Sequence, residues 1–227
     1  MSAKIKGRIS KVEPVGSRYA VLSINPEVPR PLPQRPGQYT QITFSPEKEP
    51  LTNVYSIASA PRADGSFELC VQLTDERLKG LISLWQSGKG RTVEYTLPAG
   101  NFFVPPESVA SVLIAGGSGI TPLKAILEER AKQNAETVLL YGCSDDKAIP
   151  FYTDLKALDK GPTEVHFFAE TVSLGRATLG RPQQKLAAYI DPDKHFLMCG
   201  PPAFMASIRH ELAAAGVSDQ HIHQDRY

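Results

Sequence analysis

The chain has 227 residues, 41% of them hydrophobic and 22% charged, with a formal net charge of +1. That is enough length for one large domain or two of modest size, and the near-neutral balance offers no bulk attraction to nucleic acid or an anionic membrane. No apolar run reaches membrane-spanning length, the first residues lack a signal-peptide pattern, and Cys70, Cys143 and Cys199 supply neither a disulfide framework nor four clustered thiolates. The expectation is a cytoplasmic protein with no membrane insertion, no nucleic-acid partner and no iron–sulfur cluster of its own.

From Lys4 to about Phe103 the apolar residues recur with period two. Ala20, Leu22 and Ile24 do so, as do Phe67, Leu69, Val71 and Leu73, which predicts half-buried antiparallel strands closing into a barrel. Pro36-Gly37 and Asp64-Gly65 mark turns, and one short helix is expected over 78–87, stopped by Gly88. After Pro105-Pro106 the pattern changes to apolar runs, each followed by helical spacing. Runs at 112–115, 138–141, 165–168 and 195–198 alternate with helices after 121, over 151–158 and over 202–215, the pattern of a parallel sheet buried on both faces. The predicted fold is therefore an N-terminal antiparallel β-barrel, residues 1–104, followed by a Rossmann-like α/β domain, residues 105–227.

Two strand-to-helix junctions carry chemistry. Gly116, Gly117, Ser118 and Gly119, followed by Ile120, Thr121 and Pro122, lie between an apolar strand and a helix. Such a turn lets backbone N–H groups approach a pyrophosphate, and it also suits a plain tight turn with Thr121 as N-cap and Pro122 at the first helical position. Further on, Cys199, Gly200, Pro201 and Pro202 occupy a second junction. Both would open on the same carboxyl-edge crevice of a parallel sheet, although Cys199 alone also suits a small core thiol.

Gly-Gly-Ser-Gly-Ile-Thr-Pro, Cys-Gly-Pro-Pro and Tyr55-Ser56, in that spacing, closely resemble the ferredoxin–NADP reductase family across nearly the whole chain. The resemblance implies a flavin-binding barrel joined to a nicotinamide-binding domain, with FAD the expected flavin ahead of FMN and with NADH or NADPH as substrate. It carries Asn53, Val54, Tyr55 and Ser56 over as the flavin strand; Asn53 stands where relatives have an arginine that pairs with flavin phosphate, and Arg77 or Lys79 could compensate. Gly80, Leu81, Ile82 and Ser83 resemble the second phosphate-binding segment, a helix N-terminus; Gly80 as a simple helix start and Tyr55 as an ordinary strand tyrosine remain open. Tyr39 matches an architectural aromatic.

The resemblance further implies that Gly116 to Gly119, Thr121, Gly200 and Pro201 hold the nucleotide. Ser56, Cys199, Asp225 and Tyr227 would be the catalytic set, with Tyr227 covering the flavin face and Asp225 in the place of a family glutamate; a solvated tail is the alternative for this segment. The expected function is hydride transfer from NAD(P)H to bound flavin, with electrons passed on to ferredoxin, flavodoxin or an oxygenase component by a monomer. A free-flavin or ferric reductase and a non-catalytic electron-transfer subunit are the alternatives. Asp145 and Asp146, after the second parallel strand, would disfavour a 2′-phosphate and favour NADH, with Arg176 and Arg181 as opposing charges.

Overall fold

A computed structural model of the chain describes residues 4–45, 50–74, 76–102 and 105–225. The first part is a six-stranded antiparallel sheet built from β1 (Lys4–Val15), β2 (Tyr19–Pro26), β3 (Tyr39–Phe44), β4 (Leu51–Ser56), β5 (Phe67–Gln72) and β6 (Thr92–Thr96), in the order β4-β3-β6-β1-β2-β5. Beyond the end of β4, the Ala58 N–H donates to the Glu68 carbonyl on β5 at 2.8 Å, so the two sheet edges meet and the barrel nearly closes. The alternation read from sequence has its cause here: Ala20, Leu22, Ile24, Phe67, Leu69 and Val71 are all buried in the barrel core. Helix α1 (Glu76–Gln86) covers one opening, placing Leu78, Ile82 and Trp85 on the core. It stops at Gly88, whose φ of 84° few other residues would tolerate.

The second part is a parallel sheet of β7 (Ser111–Gly116), β8 (Thr137–Asp145), β9 (Thr163–Thr171), β10 (Thr178–Leu179), β11 (His195–Cys199) and β12 (Ile222–Asp225), ordered β10-β9-β8-β7-β11-β12. Its helices are α2 (Ile120–Lys132), α3 (Tyr152–Ala157), α4 (Gln183–Leu186) and α5 (Pro202–Ala214). Every residue of β7 is buried, as expected of a central strand covered by helices on both faces. Periodicity gave no notice of β10, α4 and β12, which are short or at the sheet edge. For 222–225 the solvated-tail alternative falls away, because Ile222 is buried and the segment pairs with β11.

The barrel and the parallel sheet share a core. Tyr19, Ala58 and Cys70 from the barrel belong to the same buried cluster as Leu113, Ile120, Leu123 and Cys199. At its margin Lys124, only 1% exposed, lies between Glu68 of β5 and Glu128 of its own helix, with its ammonium 4.7 Å from the Phe151 ring centre. Glu128 also accepts the Ala60 N–H at 2.7 Å. A buried ammonium needs such partners, and these tie α2 to the barrel. Among the described residues no helix is long and apolar enough to cross a membrane.

Candidate functional site

Strand register brings the two junctions together. Ala115 is level with Tyr141 on one side and Cys199 on the other, and Cys199 is level with Asp225. The loops that follow touch. A Cβ on Gly119 would lie 2.1 Å from the Cys199 carbonyl oxygen, and one on Gly200 would lie 3.1 Å from the Gly116 Cα. At Gly119 a larger residue must part the loops, and at Gly200 the neighbours would have to give by a few tenths of an ångström. Gly117, at φ 56°, is different: the nearest atom to its Cβ position is the Tyr19 hydroxyl at 3.5 Å, so it faces open space. The space is a cleft of about 530 Å³, bounded by Gly116, Gly117 and Ser118, by Gly200 and Pro201, and by Arg18, Tyr19 and Gln72 from the barrel. It sits at the carboxyl edge of the sheet, between the neighbours β7 and β11 where strand order reverses, the usual ligand position in such sheets.

Thr121 is placed differently from expectation. Helix α2 starts at Ile120 with Gly119 as its N-cap, so Thr121 and Pro122 lie inside the first turn. Thr121 is buried and its hydroxyl donates to the Ser118 carbonyl at 2.6 Å, which shapes the glycine loop from behind and leaves that hydroxyl turned away from the cleft. A single turn of 3-10 helix over Gly117–Gly119 precedes α2, and this extra turn is why the cap lies earlier than the Thr-Pro pair suggests.

The carboxylates expected to govern coenzyme choice are also elsewhere. Asp146 is buried and accepts backbone N–H groups from Ser173, Leu174 and Arg176 at 2.8–3.1 Å. Burial pushes its pKa up, but these bonds outweigh that and hold it below the usual carboxylate value. It organises the loop before β10. Asp145 accepts the Lys147 N–H, and neither aspartate lines the cleft. The carboxylate that does is Glu170 at the end of β9, paired with Arg181 at 3.2 Å. Arg176 instead lies over the Tyr152 ring, 5.2 Å from its centre. Cys143 lines the cleft beside Ser144, its thiol pushed up to about 11 chiefly by burial and so fully protonated at neutral pH.

On the barrel side, Asn53 and Val54 are exposed, Tyr55 is half-buried and Ser56 is buried. Tyr55 packs edge-on to Phe44, ring centres 6.1 Å apart, and its hydroxyl accepts the Asn53 side-chain amide at 3.3 Å. The strand thus presents an aromatic ring and a hydroxyl, which suits a flavin ring, while Asn53 supplies no charge for a phosphate. Arg77 reaches the Pro50 carbonyl at 3.4 Å beside the start of β4, whereas Lys79 pairs with Glu76 on its own helix. Gly80 is not at a helix N-terminus. Helix α1 begins four residues earlier, so Gly80 lies in the second turn, Leu81 is half-buried, Ile82 packs into the core and Ser83 bonds back to the Lys79 carbonyl. The N–H groups of the first turn left without helical partners are those of 76–78.

Asp225 is half-buried beside Cys199, which is fully buried. Ser56 leads within two residues to Ala58, in the cluster that contains Cys199. Tyr39 is partly exposed, is level with Ser56 across the strand pair and packs over Gly100. Tyr227 lies outside the described residues. Sequence reasoning missed Arg18, Tyr19, Gln72, Glu170 and Phe204 as cleft residues. For Glu170 the signal was present, since it ends a parallel strand; for Arg18, in a barrel turn, nothing local marks it.

Residues 113–210 match the family model described as the oxidoreductase NAD-binding domain. The chain is 29% identical over 224 residues to the ferredoxin reductase component of a 3-ketosteroid-9-alpha-monooxygenase from Rhodococcus rhodochrous, covering 94% of this chain and 61% of that protein. It thus spans less than two thirds of that relative's length. To a ferredoxin–NADP reductase B from Sorangium cellulosum it is 29% identical over 208 residues, covering 84% of each chain. The FAD/NAD-binding domain of a nitric oxide dioxygenase from Vibrio cholerae superposes with a TM-score of 0.84 at 25% identity, over 100% of this chain and 99% of that one. With an antiparallel barrel set against a parallel sheet and the two junction motifs in contact, the chain carries an oxidoreductase NAD-binding domain over 113–210 and is similar in sequence and fold to ferredoxin reductases and to an FAD/NAD-binding domain.

Proposed function

We propose that this protein is a flavin-dependent reductase that oxidises NAD(P)H, NADH in preference, and passes electrons singly to a separate acceptor: a ferredoxin, a flavodoxin or an oxygenase component. The observation that carries the reading is the cleft in which the glycine loop and the Cys199–Pro201 turn meet under a wall supplied by the barrel. Bound FAD would supply hydride acceptance and one-electron release, chemistry that belongs to the cofactor. The chain's own part is positioning. Gly116, Gly117, Ser118, Gly200 and Pro201 hold the dinucleotide, with Gly119 allowing the loops to close. Tyr55 offers a stacking face, and Ser56, Cys199 and Asp225 orient the reacting rings, with Asp225 the group able to hold a proton. The register of Asp225 beside Cys199 supports that grouping.

Glu170 supports NADH as the preferred coenzyme, because a carboxylate in the cleft accepts bonds from ribose hydroxyls and repels a 2′-phosphate. The relatives named as ferredoxin reductases support a carrier protein as acceptor. A cytoplasmic monomer is part of the same proposal, to be checked by size-exclusion chromatography. Absorption spectra of the purified protein before and after anaerobic NADH and NADPH test the central reading: the expected result is a flavin spectrum bleached by NADH, and a protein that retains no flavin and oxidises neither coenzyme overturns it. Asn53 favours one second reading, a reductase of freely exchanging flavin; a colourless protein that reduces added flavin would establish that instead.

A further inference from the structure

Two cations line the nucleotide cleft, and they stand in opposite electrostatic circumstances. Arg181 is matched by Glu170. Arg18 has no carboxylate within ion-pair distance among the described residues; its guanidinium donates to the Ser144 hydroxyl, a neutral acceptor at the end of β8. A guanidinium carries five donors, so that single contact orients the group without saturating it.

Arg18 comes from the barrel, in the turn joining β1 to β2, and the turn is pinned. The Arg18 carbonyl accepts the Leu73 N–H at 2.8 Å. A Cβ on Gly16 would lie 3.0 Å from that of Ala148, so the turn rests on the loop after β8. Tyr19, the next residue, is buried in the core shared by barrel and sheet, with its hydroxyl toward Gly117. The guanidinium is thereby held over a cleft whose other wall is the glycine loop.

We propose that Arg18 is a phosphate-binding residue of the nucleotide site, delivered by the barrel, so that a bound dinucleotide is gripped from both halves of the molecule. The inference rests on the reductase reading of the cleft. A fixed guanidinium without a carboxylate partner is the group best suited to a phosphate oxygen pair, and the glycine loop opposite offers N–H donors but no formal charge. Two phosphate sources share this chemistry, the pyrophosphate common to both coenzymes and the 2′-phosphate of NADPH.

The test compares wild type, Arg18→Ala and Arg18→Lys in two measurements: titration with NAD+ and NADP+, which needs no turnover, and steady-state oxidation of NADH and NADPH with ferricyanide. The exposed Arg18→Ala variant should melt like wild type, bind nucleotide about tenfold more weakly and show the loss in KM more than in kcat. Arg18→Lys should recover part of it. Equal losses with both coenzymes identify the pyrophosphate as the contact; a loss confined to NADP+ and NADPH identifies the 2′-phosphate. Wild-type dissociation constants for both nucleotides in Arg18→Ala overturn the proposal. Should wild type bind nucleotide yet oxidise neither coenzyme, the reductase reading fails while the titration still decides the role of Arg18.

Discussion

The junction loops that line the cleft present backbone at the ends of buried strands, whereas the barrel's candidate flavin positions, which do not line it, are side chains on β4, at the edge of the sheet, and on a surface helix. Gly116, Gly119 and Gly200 are held by contacts with neighbouring backbone and the Phe204 ring. Asn53 and Val54 are exposed, Tyr55 is half-buried against Phe44, and Ser56 is buried. The junction half is fixed by backbone contacts within the fold, while the barrel half depends on which side chains stand on an exposed strand.

The largest effect is expected at Gly119. Gly119→Ala sets a methyl group 2.1 Å from the Cys199 carbonyl oxygen, so the loops must part. We expect a loss of about 3 kcal/mol in stability, read by thermal or urea unfolding, together with loss of nucleotide binding. An equivalent melt and affinity would mean the contact is not rigid.

The two halves are joined by Lys124. Lys124→Met removes a buried ammonium from between Glu68 and Glu128, at an expected cost of about 2–3 kcal/mol by denaturant unfolding, less than for a wholly buried pair because both carboxylates touch water. The same network sets an acid limit. Burial raises the Glu68 pKa, but Lys124 and Arg62 lower it further, so the folded value lies below the unfolded one. The resulting stability is complete at neutral pH and lost as pH falls through the carboxylate range toward that folded value. In Lys124→Met this acid-side slope should shrink, and an unchanged stability-versus-pH profile would remove Lys124 as its source.

Smaller effects sharpen the contrast. Glu170→Gln removes the cleft carboxylate and releases Arg181, so the NADPH to NADH ratio of kcat/KM should rise about tenfold; no change would dissociate Glu170 from coenzyme choice. On the barrel side, Asn53→Arg places a phosphate-pairing charge at an exposed position and should tighten flavin retention by a few-fold to about tenfold, measured by flavin fluorescence on dilution. A weaker hold would show that Asn53 acts through its bond to the Tyr55 hydroxyl instead.

Legibility followed the same division. Gly116 to Gly119 and Cys199 to Pro201 were readable because strand-turn-helix junctions leave a local mark in glycine, proline and apolar runs. Thr121 and Gly80 were misplaced at helix starts by a few residues, since propensity sets helix ends weakly and packing of Leu78 and Ile82 into the barrel extends α1 backward. The carboxylate lining the cleft is Glu170 and neither Asp145 nor Asp146, because which strand-end side chain points into a cleft depends on how each loop satisfies its own backbone; Asp146 is taken up by three such N–H groups.

The barrel and parallel-sheet architecture and the two junction motifs are legible in the sequence alone, since periods of 2 and 3.6 and glycine turns are written locally. Only the tertiary structure decided that the junctions touch, that Asp225 is a strand neighbour of Cys199, and that Arg18, nearly a hundred positions before the glycine loop, overhangs the cleft. Those relations arise from sheet register and from packing between the two halves, where the free energy belongs to contacts between residues far apart in the chain and so leaves no pattern in any short stretch of it.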